Sequence, residues 1–151
     1  MKTENKKRPL GLYLHIPFCK SKCIYCDFYS LAGREEEMDR YCKALVAHLT
    51  ETAPRAAAYR VDTIYMGGGT PSLLGGRRLA GLLKAVRRHY ELEESAECSF
   101  EANPESCQEL GMLRRLRRAG FNRISLGLQS AHDRELRALG RIHTFAQGAQ
   151  K

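Results

Sequence analysis

The period of the apolar positions changes several times along this chain, and each change marks an element. Residues 10–16 (Leu-Gly-Leu-Tyr-Leu-His-Ile) form a short apolar run with the length and composition of a buried strand. Met38, Tyr41, Cys42, Leu45 and Leu49 then recur at helical spacing, which predicts an amphipathic helix over 35–51, ending before Pro54. On that stripe Cys42 reads as a small core hydrophobe. Val61 to Met66 is apolar and β-branched, a second strand broken by Gly67-Gly68-Gly69-Thr70-Pro71. Leu79, Leu82, Leu83 and Val86 mark a second helix, with Arg77, Arg78, Arg87 and Arg88 outward. Glu97 to Glu101 predicts a third strand, closed by Asn103-Pro104. A third helix is expected over 106–119, stopping at Gly120, and Arg123 to Leu128 predicts a fourth strand. Another helix is expected to begin after Thr144.

Such alternation of strand and helix implies parallel strands joined by right-handed crossovers, an α/β fold. No internal repeat or linker divides the chain, so 10–151 reads as one domain behind a basic extension, 1–9. An open four-stranded sheet leaves an edge strand unpaired. The chain is therefore expected to be the N-terminal part of a longer protein.

Composition adds exclusions. The chain has 151 residues, enough for one real core, and its 43% hydrophobic share is that of a globular protein. No apolar run reaches about 18 residues, which excludes a membrane-spanning helix. The basic start leads into a strand and not into the apolar region of a signal peptide. A cytoplasmic location is expected, because reducing conditions keep six cysteines as thiols or metal ligands. The net charge of +8 invites a nucleic-acid reading. Its densest part, Arg114, Arg115, Arg117 and Arg118, falls on one helical face opposite Leu113 and Leu116, as a solvated face does. A nucleic-acid partner is not expected.

The chemistry concentrates in Tyr13-Leu-His15-Ile-Pro17-Phe18-Cys19-Lys-Ser-Lys-Cys23-Ile-Tyr25-Cys26-Asp27-Phe28. Three cysteines at C-x3-C-x2-C spacing offer soft sulfur ligands suited to an iron–sulfur cluster or to zinc. A structural zinc wants four protein ligands, and only His15 or Asp27 stands near enough in sequence to complete them. A cubane cluster held at three corners instead leaves one iron open. A disulfide framework has no support from any sign of secretion.

Every other candidate falls at the carboxyl end of a predicted strand, where ligands gather in parallel α/β folds. Gly67-Gly68-Gly69-Thr70 follows the second strand, Glu101 ends the third, and Gln129 follows the fourth. The glycines permit close backbone approach to a ligand, although a plain turn explains them equally well. Glu101 can accept two hydroxyl hydrogen bonds or cap the next turn. Tyr13 can contact a ligand or pack as a strand aromatic.

The cysteine spacing, with Tyr25 before the last cysteine, resembles the signature of the radical S-adenosylmethionine (SAM) superfamily. The wider string Tyr13-x-His15-Ile-Pro17-Phe18-Cys19 resembles the oxygen-independent coproporphyrinogen III oxidase group, which includes the HemW-type heme chaperones. The resemblance covers nearly all of 10–147. It implies a partial (β/α)6 TIM-like barrel with about four βα units present. It also implies a [4Fe–4S] cluster on Cys19, Cys23 and Cys26, with SAM on the open iron and an electron donor for the cluster. Gly68, Gly69 and Thr70 match the motif that holds the methionine part of SAM, Glu101 its ribose contact, and Tyr13 and Tyr25 further SAM-binding positions. Gln129 and Arg141 match positions that serve a second SAM in the oxidase, and Arg141 has a fork suited to a carboxylate. His143 is a heme ligand in principle, but more simply a structural histidine. Cys98 and Cys107 lack metal-ligand spacing and read as structural.

One departure separates the subgroups. The oxidase carries a further cysteine two residues after the third cluster cysteine, where this chain has Phe28. The phenylalanine form resembles the heme chaperones, which bind heme as cargo for an acceptor protein and lack the decarboxylating activity. The oxidase is the alternative.

Overall fold

A computed structural model describes residues 7–149. The first strand, β1 (Arg8–Ile16), runs into two very short strands, β2 (Phe18–Cys19) and β3 (Leu31–Ala32). These pair in parallel and pinch the base of the cysteine loop, a feature with no counterpart in the apolar pattern. There follow α1 (Met38–Thr52), β4 (Tyr59–Gly68), α2 (Gly75–His89), β5 (Leu92–Ala102), α3 (Leu110–Ala119), β6 (Arg123–Leu126), α4 (Asp133–Ala138) and α5 (Phe145–Ala149). β1, β4, β5 and β6 form one sheet in the order β1-β4-β5-β6, parallel throughout.

Side chains alternate across each strand, and this divides the sheet into two chemically different faces. Leu14 pairs in register with Met66, and Met66 with Phe100. With Ile16, Ile64, Cys98 and Ala102 these residues are buried in one cluster with Leu49 of α1, Leu79, Leu82, Leu83 and Val86 of α2, and Leu116 of α3. The other face carries Tyr13, His15, Tyr65, Ser99, Glu101 and Ser125, a polar and aromatic set unlike the apolar core face. That face leads to the site. Cys42 packs half-buried against the core, and Cys98 and Cys107 are buried within it, as structural cysteines would be.

Several boundaries differ from the sequence expectation. β1 opens at Arg8, so Arg8 and Pro9 of the expected extension belong to the sheet, while residues 1–6 lie outside the described residues. β5 starts at Leu92, well before Glu97. Between the pairs Val61–Leu92 and Thr63–Glu97 the register shifts, so residues 93–96 stand against Asp62 alone. Glu93, Glu94 and Ser95 can therefore bulge toward solvent, which is why their polarity hides a strand. The helix expected over 35–51 opens with a 3-10 turn at Glu35–Glu37, and that expected over 106–119 becomes a 3-10 turn at Pro104–Ser106 followed by α3. β6 ends at Leu126, two residues early. Arg114, Arg115, Arg117 and Arg118 are all exposed on α3, with Leu116 buried beneath them.

Candidate cofactor site at the carboxyl ends of the strands

The cysteine loop is set against the end of β4 by main-chain contacts. The Gly69 N–H donates to Ile16 O at 2.8 Å, and that of Thr70 to Phe18 O at 2.7 Å. A Cβ on Gly69 would stand 2.6 Å from Phe18 O, so only glycine lets the two segments close. Gly68 has φ 119°, and a Cβ there would stand 2.5 Å from the His15 ring. At both positions the requirement for glycine comes first from the protein's own packing, before any ligand is considered. His15 is fixed in turn. Its Nδ1 shares a hydrogen bond with Tyr13 Oη at 2.9 Å, and its Nε2 lies 3.0 Å from Tyr29 O. With both ring nitrogens engaged, His15 is not a fourth zinc ligand, and Asp27 is exposed.

Above these contacts lies a cavity of about 290 Å³. Cys19, Cys23 and Cys26 line one side, with Tyr25 and Phe28 of the same loop. Gly68, Gly69 and Thr70 of the β4 end, Glu101 of β5, and Gln129 and Arg141 beyond β6 complete it. Eleven residues separated by up to 122 positions in the chain thus converge on one space. Tyr13 does not line it. Its hydroxyl is committed to His15 and its ring stacks on Tyr65 at 6.1 Å, so Tyr13 reaches the site only through those neighbours.

Glu101 is held by two donors and is not a turn cap. Tyr65 Oη donates to Oε1 at 2.5 Å and the Gly68 N–H to Oε2 at 3.0 Å. Burial, and then the adjacent carboxylate, push the Tyr65 phenol up to about 12, so Tyr65 stays a donor. A carboxylate has about four lone-pair directions, so two remain for a ligand in the cavity. Burial likewise raises the Tyr25 phenol, with Arg141 opposing it.

Asn103 joins the far wall together, a role hidden in the sequence behind its simpler reading as a turn residue. Its Nδ2 donates to Thr70 Oγ1 at 3.1 Å, and its Oδ1 accepts from Arg141 Nη2 at 2.8 Å. Arg141 also donates to Gly127 O at 2.9 Å and to Cys23 Sγ at 3.4 Å. Gln129 adopts φ 71°, the only non-glycine positive φ among the described residues. Strain of this kind persists where surrounding structure imposes it, often at ligand sites. His143 lies 3% exposed with Nε2 3.1 Å from Leu128 O and Nδ1 3.4 Å from Glu105, a structural placement closed to heme.

The donor set decides which metal group fits. Among the described residues, no three His, Cys, Asp or Glu side chains stand close enough to share a single ion. The three half-buried thiols nevertheless face one cavity. Three thiols on one cavity suit a cluster in which each cysteine binds a different iron. Two buried polar atoms without a protein partner, Ser30 Oγ and Arg141 Nε, also belong to residues that line the cavity. Orphaned donors of this sort fit a ligand rich in acceptors.

Comparison with known proteins agrees with this geometry. The heme chaperone HemW of Mycobacterium tuberculosis is 46% identical over 145 residues, covering 94% of this chain and 37% of that protein. The oxygen-independent coproporphyrinogen III oxidase of Escherichia coli is 36% identical over 136 residues, covering 89% of this chain and 30% of that protein. The solved structure of the Escherichia coli coproporphyrinogen III oxidase HemN, described as a radical SAM enzyme, superposes with a TM-score of 0.84 at 30% identity. It matches 99% of this chain and 36% of its own length, so the four parallel strands correspond to part of that enzyme's barrel. The chain spans about a third of the length of these relatives. The radical SAM superfamily model itself matches residues 13–147, from the β1 aromatic through the cysteine loop to α5. This chain belongs to the radical SAM superfamily.

Proposed function

We propose that this chain is the cluster-bearing and SAM-binding part of a heme chaperone, a protein that binds heme and passes it to an acceptor. Cys19, Cys23 and Cys26 would hold a [4Fe–4S] cluster, and the open iron would take the amino and carboxylate groups of SAM. The cluster supplies a one-electron reducing centre when bound. Thr70 and the Gly68–Gly69 backbone border the methionine part of SAM, and Glu101, oriented by Tyr65, accepts from its ribose hydroxyls. Gln129 and Arg141 hold a further acceptor-rich group on the β6 side of the cavity.

Phe28 carries the choice of chaperone over oxidase. Its ring is 69% exposed and lines the cavity two residues beyond Cys26. A phenyl ring there offers neither a metal ligand nor an acid–base group, and it presents an apolar surface to a flat partner such as a porphyrin. The higher identity to a heme chaperone than to an oxidase supports the same choice. Among the described residues no helix is long and apolar enough to cross a membrane.

The test uses the full-length protein, purified without oxygen and loaded with iron and sulfide. With SAM and a reductant it should form no protoporphyrinogen from coproporphyrinogen III, and it should bind heme and transfer it to apo-cytochrome. Decarboxylation at an enzymatic rate, about 0.01 to 1 s⁻¹, would make the oxidase reading correct.

A further inference from the structure

We infer that Asn103 is a positioning residue that aims Thr70 and Arg141, as hydrogen-bond donors, at two of the three cysteine sulfurs, and that these donors raise the reduction potential of the cluster. This inference rests on the assignment of Cys19, Cys23 and Cys26 as cluster ligands. It goes further by naming the residues that tune that cluster.

The chain of contacts has a fixed direction. Thr70 Oγ1 accepts from Asn103 Nδ2 at 3.1 Å, so its single O–H is left to point elsewhere. The nearest acceptor recorded for it is Cys19 Sγ, at 3.7 Å, an ordinary distance for a sulfur acceptor. Thr70 is only 6% exposed, which keeps bulk water from competing for that proton. On the other side Asn103 Oδ1 and Gly127 O, at 2.8 and 2.9 Å, hold one end of the Arg141 guanidinium. The other end, Nη1, is thereby turned toward Cys23 Sγ at 3.4 Å. One carboxamide thus sets both donors, because its amino side meets Thr70 and its oxygen meets Arg141.

Asn103 is itself well anchored. Its N–H donates to Ser106 Oγ at 3.3 Å, and its carbonyl accepts the Ser106 N–H at 3.0 Å in the turn after β5. Thr70 follows β4, Asn103 follows β5 and Arg141 follows α4 beyond β6, so all three members of the network lie outside the cysteine loop. Their side chains meet the loop at two sulfurs, those of Cys19 and Cys23.

Hydrogen bonds and positive charge at cluster sulfurs stabilise the more negative, reduced cluster more than the oxidised one. They therefore raise its potential. Arg141 supplies both effects and Thr70 the first. Removing Asn103 should release both donors at once.

The experiment is a redox titration of the iron–sulfur cluster in the full-length protein without SAM, followed by electron paramagnetic resonance. Asn103→Leu keeps the side chain's approximate shape and removes both of its contacts. Thr70→Val removes the hydroxyl alone, and Thr70→Ser restores it. Iron content near that of the natural protein, with a midpoint shifted to lower potential in Asn103→Leu and Thr70→Val but not in Thr70→Ser, is the expected result. An unchanged midpoint in both of the first two variants, or loss of iron without any shift in what remains, would overturn the inference and leave the cluster assignment standing. Absence of iron–sulfide from the natural protein would instead overturn the cluster assignment, and this inference with it. Should Asn103→Leu fail to fold, the Val and Ser pair at Thr70 decides alone.

Discussion

Tyr65 of β4 donates a hydrogen bond of 2.5 Å to Glu101 of β5, while the Gly68 N–H holds the other carboxylate oxygen at 3.0 Å. The carboxylate is oriented before any ligand arrives, which spares a ligand the cost of ordering it. Glu101→Ala should therefore weaken SAM binding by a hydrogen bond to a charged group, about 1.5–3 kcal/mol, or roughly ten- to a hundredfold. Tyr65→Phe leaves the carboxylate in place but less fixed, so its loss should be smaller. Calorimetry on the full-length protein measures both, and unchanged affinity in both would contradict this placement of the ribose.

The same pair predicts a response to alkali. The Tyr65 phenol is pushed up to about 12, by burial first and by Glu101 second, against an ordinary value of about 10. Between those values the folded chain keeps a proton that the unfolded chain has lost. Its contribution to stability is complete below about pH 10 and is lost as pH rises through about 12. The stability difference between the natural protein and Tyr65→Phe, measured by denaturant unfolding, should shrink between about pH 10 and 12. A difference that grows with pH would refute the coupling.

Gly68 makes a prediction of a different kind. Gly68→Ala forces a side chain into φ 119° and places its Cβ 2.5 Å from the His15 ring. The backbone strain costs on the order of 1–3 kcal/mol, and the collision adds to it. Combining Gly68→Ala with His15→Ala removes the collision but not the strain, so the double variant should lose less than the sum of the two singles. Thermal unfolding of the four proteins measures this, and simple additivity would show that the ring and the glycine do not constrain each other.

The alternation of strands and helices was legible in the sequence because its cause is local. Leu14, Ile64, Met66 and Phe100 alternate with polar neighbours, and Leu79, Leu82, Leu83 and Val86 repeat at helical spacing. The start of β5 was not legible, because Glu93, Glu94 and Ser95 stand in the irregular stretch opposite Asp62 and take on the polarity of a loop. β2 and β3 are two residues each and pair across the cysteine loop, and such a contact leaves no periodicity to read. Of the site, residues at strand ends could be found by placing motifs on the alternation. Asn103 stands at such an end too, but Asn-Pro has an ordinary explanation as a turn, and its work depends on Arg141, 38 residues later. Tyr13 was legible as an aromatic near the cysteines. That its hydroxyl would be taken by His15 depends on their shared face of β1 and could not be told from type alone.

The cysteines divide into two trios that a single substitution series distinguishes. Cys19, Cys23 and Cys26 face the cavity, whereas Cys42 on α1 packs half-buried against the core and Cys98 and Cys107 lie within it. The most direct measurement is the iron and acid-labile sulfide content of the full-length protein and its six single Cys→Ser variants, all reconstituted without oxygen. The account predicts about four irons and four sulfides in the natural protein and in the Cys42, Cys98 and Cys107 variants. It predicts loss of the cluster in each of the Cys19, Cys23 and Cys26 variants. Retention of the full cluster in any of these last three, or equal loss from the second trio in variants that remain folded, would contradict it.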